Sequence, residues 1–242
     1  MDEEGLVLRP RQAMPDKSDY EGQWKGELPH GYGEQSWPNG AHYQGTYKCG
    51  LRDGFGKYKR ANGSYYEGQW VDGKYHGYGV FKHPDGSYYS GMWFADRQHG
   101  EGREHWADGS SFEGQYYQGK KEGQGIYVWS DGSKYAGTWK QNFMNGNGKY
   151  TWKDGRQYDG EWRRSQMHGF GRYVWPDGRH YEGEFVEDLK QGQGVYSWPC
   201  GKRYEGEWER GKQHGMGRMQ MPDGSEVEGR WRQGKCLNTT KK

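Results

Sequence analysis

The chain repeats itself every 23 residues from Tyr20 almost to its end, and no spacing slips by even one residue. An aromatic-x-Gly-x-aromatic unit opens at Tyr20, Tyr43, Tyr66, Tyr89, Phe112, Tyr135, Tyr158, Tyr181 and Tyr204, and a weaker copy opens at Val227. A Gly-x-Gly beat follows each, at Gly31, Gly54, Gly77, Gly100, Gly123, Gly146, Gly169, Gly192 and Gly215. A fixed period of this length means a stacked array in which each unit is stable only through its neighbours.

Within a unit, Gly123, Gly125, Tyr127 and Trp129 share one parity and Gln124, Ile126 and Val128 the other. That is strand patterning, and helical spacing is absent. Asn-Gly or Asp-Gly separates the strands at Asn39, Asn62, Asp85, Asp108, Asp131, Asp154, Asp177 and Asp223, with Cys200-Gly201 the exception. This dipeptide is the strongest short-range hairpin signal. A loop of two residues or of three would fit the dipeptide, and the side chains choose. Three loop residues pair Trp129 with Ser133 and Tyr127 with Tyr135, so every aromatic falls on one face. They also place Pro38, Pro84, Pro176, Pro199 and Pro222 at the first loop position, where proline's fixed φ suits a type I turn. On the opposite face the same register sets Lys57 against Glu67, Arg103 against Glu113, Lys149 against Asp159, Arg172 against Glu182 and Arg218 against Glu228. A one-residue slip would oppose these charges to glycines. The expectation is therefore a three-residue loop closed by a left-handed Gly bulge.

The second connection, from Trp139 to Gly146, has Gly, Asn, Asp or Ser three positions past the aromatic, residues that tolerate left-handed backbone. It too should be a tight reversal. Pairing Trp139 with Gly146 would lay the indole between Gly123 and Gly146, with the glycines as notches for it. Each unit is then one hairpin, and the fold class expected is all-β: an elongated, single-layer, twisted antiparallel meander. At about 4.8 Å per strand, roughly twenty strands give a ribbon on the order of 95 Å long. The organisation expected is a disordered lead-in over 1–19, an array over 20–235 of nine full units and part of a tenth, and a short basic tail over 236–242.

Composition narrows the function. Only 30% of the residues are hydrophobic, yet 17% are aromatic, so the burial must be aromatic and the array cannot be simply disordered. Thirty-five basic residues against 33 acidic ones leave no global field for nucleic acid or anionic membrane. No apolar run approaches the roughly 18 residues of a membrane span, and the start has neither a signal-peptide core nor a myristoylation motif. Cys49, Cys200 and Cys236 share no spacing with one another or with the histidines, which fits a reducing intracellular compartment better than a disulfide or zinc framework.

Candidate chemistry dissolves into the repeat. His30, His76, His99, His168 and His214 precede the Gly-x-Gly beat, but equivalent sites lie two strands, about 9 to 10 Å, apart, too far to share a metal ion held at roughly 2 Å per ligand. Four G-x-x-x-x-G-K matches, such as Gly68 to Lys74, lack both the following Ser/Thr and a strand-to-helix context. The acids of the Tyr-Glu-Gly units recur too regularly to be a catalytic pair. Neither a catalytic constellation nor a cofactor site stands out. The basic clusters Lys120-Lys121, Arg163-Arg164 and Lys241-Lys242 offer at most weak contact with phospholipid.

The units Tyr66-Glu67-Gly68-Gln69-Trp70, Gly73-Lys74, His76-Gly77-Tyr78-Gly79 and Pro84-Asp85-Gly86 resemble MORN repeats, the membrane occupation and recognition nexus. The resemblance covers Tyr20 to about Lys235. Departures are mild: Phe112 and Val227 replace Tyr, Tyr47, Tyr116 and Phe185 replace Trp, and Cys200 replaces the turn acid. The resemblance implies a non-enzymatic scaffold or adaptor with protein partners in a cytoplasmic, cytoskeletal or ciliary (axonemal) assembly, or, as the alternative, a phosphoinositide-binding adaptor between membrane and cytoskeleton. Enzymatic members carry an appended kinase or SET domain, which this sequence does not show. The aromatic face supplies the expected partner-binding groove: Trp129, Tyr135, Trp139, Trp152, Tyr158, Trp162, Trp175 and Trp198. The last units, through Val227 and Trp231, are the expected edge for self-association into a homodimer.

Overall fold

The computed structural model describes residues 5–241, and among these it holds twenty-one strands and no helix. The chain falls into two compact units, divided between Lys120 and Lys121. The first contains β1 (Val7–Ala13), β2 (Asp19–Lys25), β3 (Leu28–Ser36), β4 (His42–Lys48), β5 (Leu51–Lys59), β6 (Tyr65–Val71), β7 (Lys74–Lys82), β8 (Tyr88–Phe94), β9 (Arg97–His105) and β10 (Ser111–Tyr117). The second contains β11 (Lys120–Val128), β12 (Lys134–Lys140), β13 (Phe143–Thr151), β14 (Gln157–Arg163), β15 (Gln166–Val174), β16 (His180–Val186), β17 (Leu189–Ser197), β18 (Arg203–Glu209), β19 (Lys212–Gln220), β20 (Glu226–Arg232) and β21 (Lys235–Lys241). Within each unit successive strands pair antiparallel, a meander of 23-residue hairpins.

The Asp-Gly turn has the three-residue loop that the side chains demanded. Trp129 donates its N–H to the Ser133 carbonyl at 2.9 Å, and Gly132, at φ 89°, donates to the Trp129 carbonyl at 2.9 Å. The loop carboxylate completes it: Asp108 accepts from the Ser110 N–H and hydroxyl, and Asp85 and Asp223 do the same for Ser87 and Ser225. These donors hold the three carboxyls below the ordinary aspartate range. All five charged pairs on the opposite face are cross-strand partners. Lys57–Glu67 at 2.9 Å and Arg103–Glu113 at 2.7 Å close as ion pairs, while Arg218 reaches Glu205 and Glu226 instead.

The other reversal differs from expectation. Gln141 and Asn142, at φ 50° and 70°, form a two-residue loop between Lys140 and Phe143, so Trp139 opposes Met144 and not Gly146. The surplus is absorbed further along as a bulge between the Trp139–Met144 and Gly137–Gly148 pairs, where Gly146 takes φ 78°. Two consecutive left-handed residues match the right-handed twist of a hairpin, and this preference outweighs regular pairing. The odd-numbered strands inside the array are accordingly longer than the even ones, nine residues against seven. The turn also joins one repeat to the next: Asn142 N–H donates to the Lys121 carbonyl at 3.0 Å, and the Asn142 side-chain oxygen accepts from the Lys121 N–H at 2.7 Å. Asp96 and Asp188 repeat that reciprocal bond. Sequence reading saw only the backbone tolerance of this position; its hydrogen-bonding role depends on a contact 21 residues away.

The glycine notch holds a tyrosine, not the expected indole. The ring of Tyr135 lies over the Gly137–Gly148 pair, so that a Cβ at Gly148 would come within 2.5 Å of its Cζ, and the hydroxyl donates to the Thr138 carbonyl at 3.0 Å. Tyr20, Tyr43, Tyr66, Tyr158, Tyr181 and Tyr204 sit the same way, all with 0% exposure. Burial pushes the Tyr20 and Tyr204 hydroxyls up to about 12. The indoles stand edge-on to these rings, Tyr135 to Trp139 at 5.2 Å and 89°, and their N–H groups reach back fourteen residues to a carbonyl: Trp70 to Gly56, Trp93 to Gly79, Trp162 to Gly148, Trp208 to Gly194. Trp24 departs from this pattern. Its buried Nε1 has no partner, because β1 loses register between Arg9 and Gln12 where the matching carbonyl would lie.

Both ends differ from expectation. Of the lead-in over 1–19, residues 1–4 lie outside the described residues, but Val7–Ala13 is a strand paired with β2. Arg9 fixes it, stacking over Trp24 at 5.0 Å and donating to the Gly26 carbonyl at 2.8 Å. The tail is a strand too: β21 pairs with β20 from Arg232–Lys235 to Val227–Lys241. Val227 and Trp231 are thus not on an edge. They lie in β20, bonded on both sides, and Trp231 is 4% exposed. An open row of backbone donors and acceptors stabilises any strand laid against it, and each end of the array uses the chain's own flanking segment for that.

Candidate functional site

The eight aromatics expected to form a groove all lie in the second unit, and the structure divides them into two sets. Tyr135, Trp139, Tyr158 and Trp162 are core, between 0 and 5% exposed. Trp129, Trp152, Trp175 and Trp198 are half-buried and lie beside the Asp-Gly turns. The first set holds the hairpins together and offers a ligand little surface. The second set is available.

Those four tryptophans do not stand alone. Each leans on the tyrosine two residues before it, and Trp129, Trp152 and Trp175 lean also on the tyrosine of the next repeat. In order, the ring separations are Tyr127–Trp129 4.5 Å, Trp129–Tyr150 4.9 Å, Tyr150–Trp152 4.5 Å, Trp152–Tyr173 5.4 Å, Tyr173–Trp175 4.5 Å, Trp175–Tyr196 5.4 Å and Tyr196–Trp198 4.4 Å. The result is an eight-ring ladder running across the strands. Same-face cross-strand neighbours are the contacts that stabilise a sheet, and here they also fix the indoles in place before any partner arrives. A rigid, half-exposed aromatic row costs little conformational entropy on binding.

The ladder carries cations that the repeat pattern alone did not flag. After Asn/Asp-Gly the early repeats have Ala41, Ser64, Ser87, Ser110 and Ser133, but the next three have Arg156, Arg179 and Lys202. Arg156 lies over Trp152 at 5.4 Å, Arg179 over Trp175 at 5.7 Å and Lys202 over Trp198 at 5.2 Å. Arg156 and Arg179 donate through Nε to Asp154 and Asp177 at 2.7 and 2.6 Å. Lys202 has no such partner, since Cys200 stands where the acid should be. A fourth cation, Lys190, follows the tight turn of its repeat. Its ammonium stands 5.1 Å from the Trp175 ring, 5.0 Å from Tyr196, 5.4 Å from Tyr181 and 5.1 Å from Trp208. Burial, and then the nearby Arg179 guanidinium, push its pKa down to about 8. The legible signal was the change of residue type at one repeat position; the ring box around Lys190 needs the fold.

The first unit has the same frame with other side chains. Its ladder positions read Gln35, Trp37, Tyr58, Arg60, Phe81, His83, Glu104 and Trp106, so non-aromatic residues interrupt the ring row, which keeps the contacts Trp37–Tyr58 and Phe81–His83. A cleft lined by Phe81, Trp93, Glu104 and Trp106 opens where rings are missing. On the opposite face Tyr32, Phe55 and Tyr78, one repeat apart, are each at least half exposed. Among the described residues no cluster of three or more His, Cys, Asp or Glu is placed to hold a metal ion, and the three cysteines are free and exposed. No helix among them is long and apolar enough to cross a membrane.

A family model described as "MORN repeat" matches nine consecutive segments, from 20–42 to 204–226. No curated protein matches the chain. Among solved structures, the SAS-4 TCP domain of Drosophila melanogaster in complex with a proline-rich motif of Ana2 is similar at 13% identity and a TM-score of 0.40, covering 64% of this chain and 85% of that one. The TCP10 domain of Danio rerio CPAP in complex with a STIL peptide is similar at 16% identity and a TM-score of 0.31, covering 96% and 98%.

Proposed function

This chain belongs to the MORN repeat family, and from that premise we infer that it is a non-enzymatic scaffold that binds protein partners along the aromatic face of its second unit, in a cytoskeletal or ciliary assembly. The single observation that carries the reading is the ladder from Tyr127 to Trp198: eight rings in unbroken contact, with the turn tryptophans left half-buried although the core beneath them is complete. Aromatic side chains presented in this way are the usual anchors of protein interfaces. The test is affinity capture with cross-linking mass spectrometry from ciliated cells. Cytoskeletal or axonemal proteins cross-linked beside the ladder are the expected result. Retention on phosphoinositide vesicles at physiological salt, with no protein cross-linked there, would favour the membrane adaptor instead.

A further inference from the structure

Resting on that reading, we propose that the segment taken up by the ladder is acidic, its carboxylates meeting Lys190 and Lys202 while its other side chains lie on the indoles. Charge supplies the first ground. Four cations border the ladder, and Asp154 and Asp177 satisfy only Arg156 and Arg179. Among the described residues, Lys190 and Lys202 have no carboxylate within ion-pair distance, and their ammonium groups face rings. An ammonium that is partly desolvated and given no anion leaves interaction energy for a ligand to collect.

Position supplies the second ground. Lys190 lies among Trp175, Tyr181, Tyr196 and Trp208, and Lys202 lies over Trp198, so both ammonium groups border the half-exposed tryptophans that a docking segment would cover.

The test is selection of random twelve-residue peptides displayed on phage against the full chain, followed by titration of the selected peptides with the parent chain and its variants. Peptides enriched in Asp or Glu, losing tenfold or more in affinity on Lys190→Met with Lys202→Met while far-UV circular dichroism is unchanged, are the expected result. Selected peptides without such acids, or indifferent to the lysine variants, overturn the inference. If those peptides still lose binding on Trp152→Ala and Trp175→Ala, the ladder remains the docking face and only its preference for acid falls; if they ignore the tryptophans as well, or if none is selected, both readings fall. Binding of phosphoinositide vesicles that needs Lys190 and Lys202 overturns the inference in favour of a lipid headgroup.

Discussion

The two units share one backbone recipe and differ in what they lay on it. In the first, Arg52 reaches into the rings of Tyr58 and Trp70 at 4.8 and 4.5 Å, and its counterpart six repeats on is Lys190. The difference lies around them. Arg60 replaces a ladder tryptophan and donates to the Tyr75 hydroxyl at 3.2 Å, so the first unit interrupts its ring row with a satisfied cation. The second unit keeps the row whole and leaves two cations unsatisfied. In a repeat protein the buried positions are fixed by the need to stack, whereas the half-exposed ones vary without disturbing the fold. Function is therefore to be read from departures at the half-exposed positions.

Truncating core indoles should break the comparison by showing where the units are equal. Trp70→Ala and Trp162→Ala each remove a buried ring and its N–H bond to a carbonyl, and each should cost roughly 3 to 5 kcal/mol in denaturant unfolding. Trp175→Ala, at a half-buried rung, should cost only about 1 to 2 kcal/mol while weakening partner binding at least tenfold. If Trp175→Ala unfolds the second unit outright, the division between core and docking aromatics is wrong.

The glycine notch should be nearly as intolerant. A Cβ at Gly171 would come within 2.5 Å of the Tyr158 ring, and one at Gly56 would meet the Tyr43 ring equally closely. Gly56→Ala and Gly171→Ala should each destabilise by about 3 kcal/mol. An unequal pair, read from thermal melts, would show that one unit packs its tyrosines more loosely.

Lys190 gives a smaller, pH-dependent contrast. The charged group facing it is Arg179, itself paired with Asp177, and the facing phenols, Tyr181 and Tyr196, are pushed up by burial and stay neutral. Its folded pKa of about 8 lies below the ordinary 10.5. The unfolded chain thus holds more protons between those values, and the penalty of the buried ammonium is fully present below pH 8 and fades as pH rises toward 10.5. Lys190→Met should stabilise the fold at pH 7 by on the order of 1 kcal/mol once partial exposure is allowed for, seen as a higher melting temperature, and the gain should shrink by pH 10. A gain that does not change with pH would assign the effect to packing alone.

The smallest effect is expected on the other face. Arg103→Ala removes an ion pair whose side chains are 68% and 58% exposed, and it should leave the urea midpoint essentially unchanged. A clear drop in that midpoint would mean that the charged rows help to hold the register.

Much of this was legible in the sequence because a repeat multiplies every weak signal. The three-residue turn, the single aromatic face and the charge partners such as Arg172–Glu182 all follow from parity and turn chemistry. The two-residue reversal was misread because its surplus residues are hidden in a bulge at Gly146, and spacing alone cannot tell a longer loop from a shorter loop plus a bulge. Flanking strands β1 and β21 escaped because neither carries the repeat; they are strands only because β2 and β20 present edges to them. At the site, Trp129, Trp152, Trp175 and Trp198 were visible, while Lys190 owes its surroundings to side chains as far as eighteen positions away.

Hydroxyl-radical footprinting of the chain with and without its captured partner tests the central claim most directly. The account predicts protection of Trp152, Trp175 and Trp198, with Trp37 and the exposed Tyr32, Phe55 and Tyr78 of the first unit unchanged. Protection of Tyr32, Phe55 and Tyr78 with the ladder left reactive would contradict it and move the docking face to the opposite side of the first unit.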